Sequence, residues 1–232
     1  MNEHSPSRSS GQSRVSGPDH LIVLPGGGYV ALADHEAEPI VEWLTGLGLS
    51  ASVFRYPVQT RHPAPTRAIH EEIARVRAAG ATRVGLVGFS AGGHAAAQAA
   101  LSVGEEAHGG VDVVILGYPV VSMTVDAHEG SRTSLLGPDS SEDLRVMTSV
   151  ELQVDGSAPP FFVWHTAADT AVTPSHALRL ATSLAEHGIP YELHIYERGN
   201  HGVGLAEGLE TAQQWTMACE AWLRSRDWIR TS

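Results

Sequence analysis

The chain has 232 residues, of which 42% are apolar, with 24 glycines and 13 prolines. This composition excludes a collagen-like or wholly disordered protein, and the length fits one large domain better than two small ones. Fifteen basic and 26 acidic side chains leave a net charge of −11. Because nucleic-acid and anionic-membrane binders need a basic patch, this balance argues against both kinds of partner.

The first residues differ in composition from the rest of the chain. Residues 1–19, rich in Ser, are predicted to form a disordered tail, and residues 20–232 are predicted to form the folded domain. Met1 and Val15 are the only appreciable apolar side chains before Leu21, too few for a secretory signal. The single cysteine, Cys219, cannot form an internal disulfide, so nothing ties the chain to an oxidising compartment. Because a secretory signal is also not expected, we expect a cytoplasmic protein.

From His20 onward, short apolar runs typical of β-strands alternate with segments of helical periodicity. This pattern predicts an α/β fold, a mainly parallel sheet with helices on both faces. The strands are predicted over residues 20–25, 50–56, 83–88, 112–117, 160–165 and 190–196. Residues 84–104 carry no charge, but their five glycines favour a strand followed by a buried helix over a membrane span.

Five helices are predicted between and after these strands, the first four with start or stop signals. The first runs from an Asp34 N-cap to Gly48, the second passes through Ile69, Ile73 and Val76 and ends at Gly80, and the third runs from Ser90 to near Gly104. The fourth runs from Thr173-Pro174 to Gly188, with Leu178, Ala181 and Leu184 facing inward. The fifth contains Leu209, Ala212, Trp215, Cys219 and Trp222. Residues 119–159 break the alternation, and we expect them to form an irregular polar insertion near the active site.

The pentapeptide Gly88-Phe89-Ser90-Ala91-Gly92 fits the nucleophile-elbow pattern, in which a serine occupies a sharp turn between a strand and a helix. The pattern is weak alone, and a plain glycine-rich turn is the competing interpretation. The predicted strand before it and the Ala-rich segment after it supply the required context. We therefore predict that Ser90 is a nucleophile.

A glycine run, Pro25-Gly26-Gly27-Gly28-Tyr29, follows the first predicted strand. This is where α/β hydrolases place backbone amides of the oxyanion hole. A nucleotide-binding loop is the alternative, but the run lacks the G-x-G-x-x-G spacing and the chain contains no Lys for a P-loop.

The chain order Ser, acid, His selects the partners of the serine. Asp169 follows the fifth predicted strand and His201 follows the sixth, at the sheet edge where α/β proteins build their sites. Asp126 and Asp155 are weaker acids because they lie inside the insertion. His165 and His194 are weaker bases because they lie within strands.

The chain resembles bacterial α/β-hydrolase esterases of the acetylxylan-esterase-like group, also known as xylanase-linked esterases. The resemblance covers most of residues 21–223 and rests on ordered motifs. They are Pro25-Gly26-Gly27-Gly28-Tyr29, Glu36, Phe54-Arg55-Tyr56-Pro57, Gly88-Phe89-Ser90-Ala91-Gly92-Gly93-His94, Tyr118-Pro119-Val120, Pro159-Pro160-Phe161, residues 165–169, and Gly199-Asn200-His201-Gly202. It implies a Ser90–Asp169–His201 triad, oxyanion amides from Gly27, Gly28 and Ala91, and short acyl esters, especially sugar acetates, as small-molecule substrates.

The chain departs from the wider fold in one respect, since two further strands usually precede the glycine run. We expect the fold to lack these first two strands, which would leave residues 50–56 at an unpaired sheet edge. Either the tail before His20 or a second subunit would then cover this edge, and we favour a homodimer. We also expect His94 to pack beneath the elbow, and Glu36 to be either a charge at a helix N-terminus or a brace for the glycine loop.

The predicted function is a serine carboxylesterase. We expect the polar insertion, with Tyr29 and Trp164, to line a narrow pocket that admits short acyl groups. A small peptidase of the prolyl-oligopeptidase type shares the fold and triad, and a non-catalytic ligand receptor is a third interpretation. Thirteen histidines invite a metal hypothesis, but His70-Glu71-Glu72-Ile73-Ala74 lacks the second histidine of a zinc-protease helix, so we expect no metal or cofactor.

Overall fold

The computed structural model describes residues 18–102 and 110–229. Within them, six strands form one sheet in the order β2-β1-β3-β4-β5-β6, and every neighbouring pair is parallel. The strands are His20–Leu24 (β1), Ser50–Val53 (β2), Val84–Phe89 (β3), Val113–Gly117 (β4), Phe161–Thr166 (β5) and Tyr191–Tyr196 (β6). All six predicted strands are confirmed. The second is shorter than predicted, because the chain leaves the ladder after Phe54, whose amide still donates to the Val23 carbonyl.

Seven α-helices accompany the sheet in the described residues. They are Glu38–Gly46 (α1), Ala64–Ala78 (α2), Ser90–Leu101 (α3), Glu129–Leu136 (α4), Glu142–Met147 (α5), Ser175–Glu186 (α6) and Trp215–Arg224 (α7). The apolar sides of α2, α3 and α6 pack in one core layer, and those of α1 and α7 pack in the other. Successive strand residues point to opposite faces, so both layers are filled from the same strands, and the predicted α/β architecture is confirmed.

Three details of the predicted helices differ in the structure. Asp34 does not cap α1 but begins a 3-10 turn, Asp34–Glu36, and α1 begins at Glu38. Leu178 is 49% exposed, because the buried stripe of α6 is formed by its neighbours Ala177, Leu180, Ala181 and Leu184. The third helix ends at Leu101. The predicted end near Gly104 and residues 1–17 of the predicted tail lie outside the described residues.

Residues 119–159 are not irregular as expected, since they contain α4 and α5. The sequence signals are helix caps: His128 Nδ1 accepts the Ser131 amide at 3.2 Å, and Ser141 Oγ accepts the Leu144 amide at 3.2 Å. Val150 is fully buried in the same core layer as α3. The insertion is therefore a folded cap that is anchored on the core, and we refer to residues 119–159 below as the cap.

The sheet has two outer strands, β2 and β6. In the described part of the chain, β2 pairs with β1 alone, as expected for a sheet whose first strand is the one before the glycine run. None of the helices described here has the length and apolar character needed to cross a membrane.

Candidate active site

Ser90 occupies a sharp turn where β3 passes directly into α3. Its φ of +51° lies in the left-handed region that only a constrained turn imposes on a serine. The flanking glycines are required by crowding. A Cβ on Gly88 would lie 2.4 Å from the Gly92 carbonyl oxygen, and one on Gly92 would lie 2.1 Å from the Leu24 carbonyl oxygen. The strand, turn and helix of the nucleophile-elbow pattern are thus all present.

Three side chains from separate segments of the chain meet in one hydrogen-bonded row. Ser90 Oγ lies 2.7 Å from Nε2 of His201, and Nδ1 of His201 lies 2.7 Å from Oδ2 of Asp169. Asp169 follows β5, and His201 follows β6. The geometry fits a histidine that accepts the serine proton at Nε2 while it donates from Nδ1 to the carboxylate.

Asp169 is held in place by its other oxygen. Oδ1 accepts the backbone amides of Ala171 at 2.9 Å and Val172 at 3.0 Å. Burial by itself would raise the pKa of Asp169, but hydrogen bonds from His165 and His201 hold this pKa well below its usual value. The side chain is therefore a carboxylate at neutral pH, oriented to face His201.

His165 contributes to this carboxylate environment from within β5. Its Nε2 lies 2.8 Å from the Val172 carbonyl oxygen and 3.3 Å from Oδ2 of Asp169, and the ring is fully buried. From the sequence, His165 was a weaker candidate for the base than His201, because it lies within a strand. The structure places it beside the acid, against the same carboxylate oxygen that His201 contacts.

The glycine loop lies directly against the elbow. A Cβ on Gly26 would be 2.9 Å from Cβ of Ser90. The amides of Gly27 and Gly28 have no acceptor in the described part of the chain. Ala91 is the second residue of α3, so its amide has no acceptor within the helix. Unsatisfied backbone donors therefore flank Ser90 on two sides.

The two predicted substrate contacts lie elsewhere. Trp164 is fully buried and stacks on Trp215 at 4.9 Å in the core layer of α1 and α7, so the expectation that it lines the pocket is not met. It faces this layer because side chains alternate along β5. Tyr29 is 1% exposed and its hydroxyl lies 2.7 Å from Nδ1 of His94, so it packs beneath the glycine loop.

His94 joins the glycine loop to the cap. It is completely buried in α3, and its Nε2 lies 2.8 Å from the Thr148 carbonyl oxygen. Burial lowers the pKa of His94 to about 4, so the ring is neutral at pH 7. Neutral His94 donates a hydrogen bond from Nε2 to the Thr148 carbonyl and accepts one at Nδ1 from the Tyr29 hydroxyl. These two bonds fix the glycine loop and the cap against α3, the helix that carries Ser90.

A histidine of the cap, His128, also lies near the row, and sequence reasoning did not select it. Burial, followed by the charge of nearby His201, lowers the pKa of His128. Its Nδ1 is bonded to Ser131, whose Oγ lies 4.0 Å from the Cβ position of Gly28. The start of α4 therefore covers the glycine loop. Histidine is an uncommon helix cap, so the sequence carried little signal for this residue.

Two further buried residues, Glu36 and Tyr118, touch the same loops. Glu36 Oε2 accepts the Gly26 amide at 2.7 Å, so it is a brace for the glycine loop, one of its two predicted roles. The ring of Tyr118 packs edge-on against His201 at 5.1 Å. Residues 18–102 and 110–229 contain no group of three His, Cys, Asp or Glu side chains arranged to hold a metal ion.

The parallel six-stranded sheet, the helices on both faces and the serine elbow after the third strand define the α/β-hydrolase fold. Residues 67–225 match the prolyl oligopeptidase family, and the chain belongs to this family.

Comparison with solved structures shows relatives of the same shape. An acetyl ester-xyloside bifunctional hydrolase from Caldicellulosiruptor lactoaceticus is 37% identical with a TM-score of 0.88, over 94% of this chain and 86% of that one. The carboxylesterase Cest-2923 from Lactobacillus plantarum is 22% identical with a TM-score of 0.81, over 99% of this chain and 93% of that one, and it supports the fold alone.

Curated relatives are longer than this chain. An acetylxylan esterase of Xylanibacter ruminicola is 27% identical over 88% of this chain, which spans 45% of that protein. An endo-1,4-beta-xylanase B of Butyrivibrio fibrisolvens is 28% identical over 81% of this chain, which spans 33% of that protein.

Proposed function

We propose that this protein is a serine carboxylesterase that hydrolyses short acyl esters, above all acetyl esters of sugars or xylo-oligosaccharides. The observation that carries the proposal is the row Ser90, His201 and Asp169, with both side-chain distances at 2.7 Å. The relatives named as acetyl ester and acetylxylan hydrolases support the acyl group and the sugar.

The mechanism follows from the donors and acceptors of the row. His201 Nε2 takes the proton of Ser90 Oγ as that oxygen attacks the acyl carbon, and Asp169 stabilises the resulting imidazolium. The amides of Gly27 or Gly28 and of Ala91 stabilise the oxyanion of the tetrahedral intermediate. His201 then gives its proton to the leaving sugar oxygen. In the second half, the same ring takes a proton from a water molecule as it attacks the acyl carbon, and returns that proton to Ser90 Oγ when the acid leaves.

The anchored cap supports a preference for short acyl groups. The start of α4 brings Ser131 over Gly28, and the cap is bonded to α3 through His94 and Thr148. A cover that is held to the core at these points leaves little room over the glycine loop for a long acyl chain. Each methylene group is worth only about 0.8 kcal/mol in apolar contact, so long chains must be excluded by blocked space rather than by weaker binding.

A small serine peptidase is the second candidate, and the family to which the chain belongs favours it. The two activities share the row of three side chains and differ in the leaving group, an alcohol oxygen or an amine. Assays of acetylated xylo-oligosaccharides and aryl acetates beside dipeptide amides separate them. Faster cleavage of the amides than of the acetates would reject the esterase proposal.

The nucleophile has its own test. A fluorophosphonate should add mass at Ser90 alone, and Ser90→Ala should prevent the addition. Labelling that persists in Ser90→Ala would show that another residue is the nucleophile.

We also propose that two copies associate through the outer strand β2. Within residues 18–102 and 110–229 this strand pairs with β1 alone, so its other edge can pair with a second chain. Light scattering that reports a dimer supports this, and a monomer at all concentrations contradicts it.

A further inference from the structure

Glu36 is a buried carboxylate that no step of the proposed mechanism uses. It is 2% exposed and lies in the 3-10 turn Asp34–Glu36 just before α1. Its Oε2 accepts the amide of Gly26 at 2.7 Å, and Gly26 packs so closely on Ser90 that a Cβ there would lie 2.9 Å from Cβ of the serine. One oxygen of Glu36 therefore holds the glycine loop against the nucleophile.

The other oxygen of Glu36 reaches the histidine loop through Tyr118. Oε1 lies 2.5 Å from the Tyr118 hydroxyl, and this hydroxyl accepts the Gly204 amide at 2.8 Å. Burial, and next the charge of Glu36, raise the pKa of Tyr118 well above its usual value, so the phenol keeps its proton and donates to Glu36. In this series of hydrogen bonds, Gly26 and Tyr118 each donate to a different oxygen of Glu36, and Gly204 donates to Tyr118.

A second bond from the same turn holds the histidine loop nearer His201. His35 Nε2 lies 2.9 Å from the Gly202 carbonyl oxygen. The loop is thus held at Gly202 by His35 and at Gly204 by Tyr118. Both points lie within three residues of His201, whose ring packs on Tyr118.

We propose that Glu36 is a positioning residue that sets the oxyanion loop and the His201 loop in register with each other across Ser90, with Tyr118 as its second arm. The proposal deepens the proposed function and rests on it for the roles of Ser90 and His201. A small displacement of either loop lowers the rate without changing how tightly the ground state binds, because the oxyanion donors and the base act on the transition state.

The test compares Glu36→Gln and Tyr118→Phe with Asp34→Asn. Gln keeps the shape but has an acceptor oxygen at only one of the two positions, with an NH2 donor at the other. The Gly26 amide and the Tyr118 hydroxyl, which bond to different oxygens of Glu36, therefore cannot both donate to it. Phe keeps the ring against His201 and removes only the hydroxyl. Asp34→Asn is the matched control, since it removes an exposed carboxylate from the same turn.

With nitrophenyl acetate we expect kcat to fall about 10- to 100-fold in Glu36→Gln and about 3- to 10-fold in Tyr118→Phe, with KM within about twofold of the wild type. Asp34→Asn should stay within about twofold in kcat. The double variant should lose less than the product of the single losses, because both changes break the same chain of bonds. A Glu36→Gln protein with the kcat of Asp34→Asn, a loss confined to KM, or a fully multiplicative double variant would each overturn the proposal.

The rate of fluorophosphonate labelling at Ser90 separates this proposal from the esterase proposal. Labelling needs the serine, its base and the oxyanion donors but no ester turnover. A wild-type protein that is labelled but hydrolyses no ester would reject the esterase function, while slower labelling of Glu36→Gln would still support positioning. Equal labelling rates in Glu36→Gln and Asp34→Asn would overturn it. Tyr118→Phe keeps the test decisive if Glu36→Gln does not fold.

Discussion

Replacing Asp169 by Asn should reverse the tautomer of His201. The amides of Ala171 and Val172 donate to Oδ1 at 2.9 and 3.0 Å, so they select the oxygen of an Asn side chain for that position. The NH2 group is then left facing Nδ1 of His201. The ring must accept at Nδ1 and carry its proton on Nε2, where it can no longer take the proton of Ser90.

The expected loss in kcat is about 10³- to 10⁴-fold, which corresponds to about 4 to 5.5 kcal/mol of transition-state stabilisation. The assay is nitrophenyl acetate hydrolysis at pH 7.5, with Asp155→Asn as the control. Asp155 is an exposed residue of the cap whose side chain accepts the amide and the hydroxyl of neighbouring Ser157, so its replacement should leave kcat within about twofold. An Asp169→Asn enzyme that keeps more than a tenth of the wild-type kcat would refute the reasoning.

Three further predictions concern packing, pH and substrate size. Gly92→Ala should lower the free energy of unfolding by about 3 kcal/mol or more, measured in urea, since its Cβ would lie 2.1 Å from the Leu24 carbonyl oxygen; an unchanged midpoint would contradict this. The folded-state pKa values of His94 and His176 are lowered, mainly by burial, to about 4, below the value of about 6.5 in an unfolded chain. Between these pH values the unfolded chain binds more protons than the folded protein does. The free energy of unfolding should therefore be highest above about pH 6.5 and fall towards pH 4, by up to roughly 3 kcal/mol per histidine. Urea unfolding of His94→Gln should show a smaller decline than the wild type, and equal declines would remove His94 as a source. Among nitrophenyl esters of two to twelve carbons, kcat/KM should be highest at two to four, and a preference for eight or more would contradict the blocked pocket.

The centre of the sheet was predictable from the sequence because β1, β3, β4 and β5 are short apolar runs that are followed by glycine, proline or polar turns. These four strands are almost entirely buried, so they contrast sharply with their surroundings. The outer strands β2 and β6 are only partly buried. The cap could not be read in the same way. Its helices α4 and α5 have eight and six residues, too few for a clear apolar period. They are stabilised by the capping side chains at their N-termini and by contacts with the core.

The row of Ser90, Asp169 and His201 was predictable because chain order and strand ends restrict where each member can lie. The residues that surround this row could not be predicted in the same way. Whether a strand residue faces the site or the opposite layer depends on register, and register places Trp164 in the layer of α1 and α7. The link from Glu36 to Tyr118 joins residues 82 positions apart, and no local pattern encodes such a pair.

Acetate release from acetylated xylo-oligosaccharides, compared between the wild type and Ser90→Ala, tests the central claim most directly. The account predicts release by the wild type and a rate lower by about 10³-fold or more in a folded Ser90→Ala protein, because the members of a triad act as a unit. Release at the wild-type rate by Ser90→Ala, or no release by a wild-type protein that cleaves dipeptide amides, would contradict it.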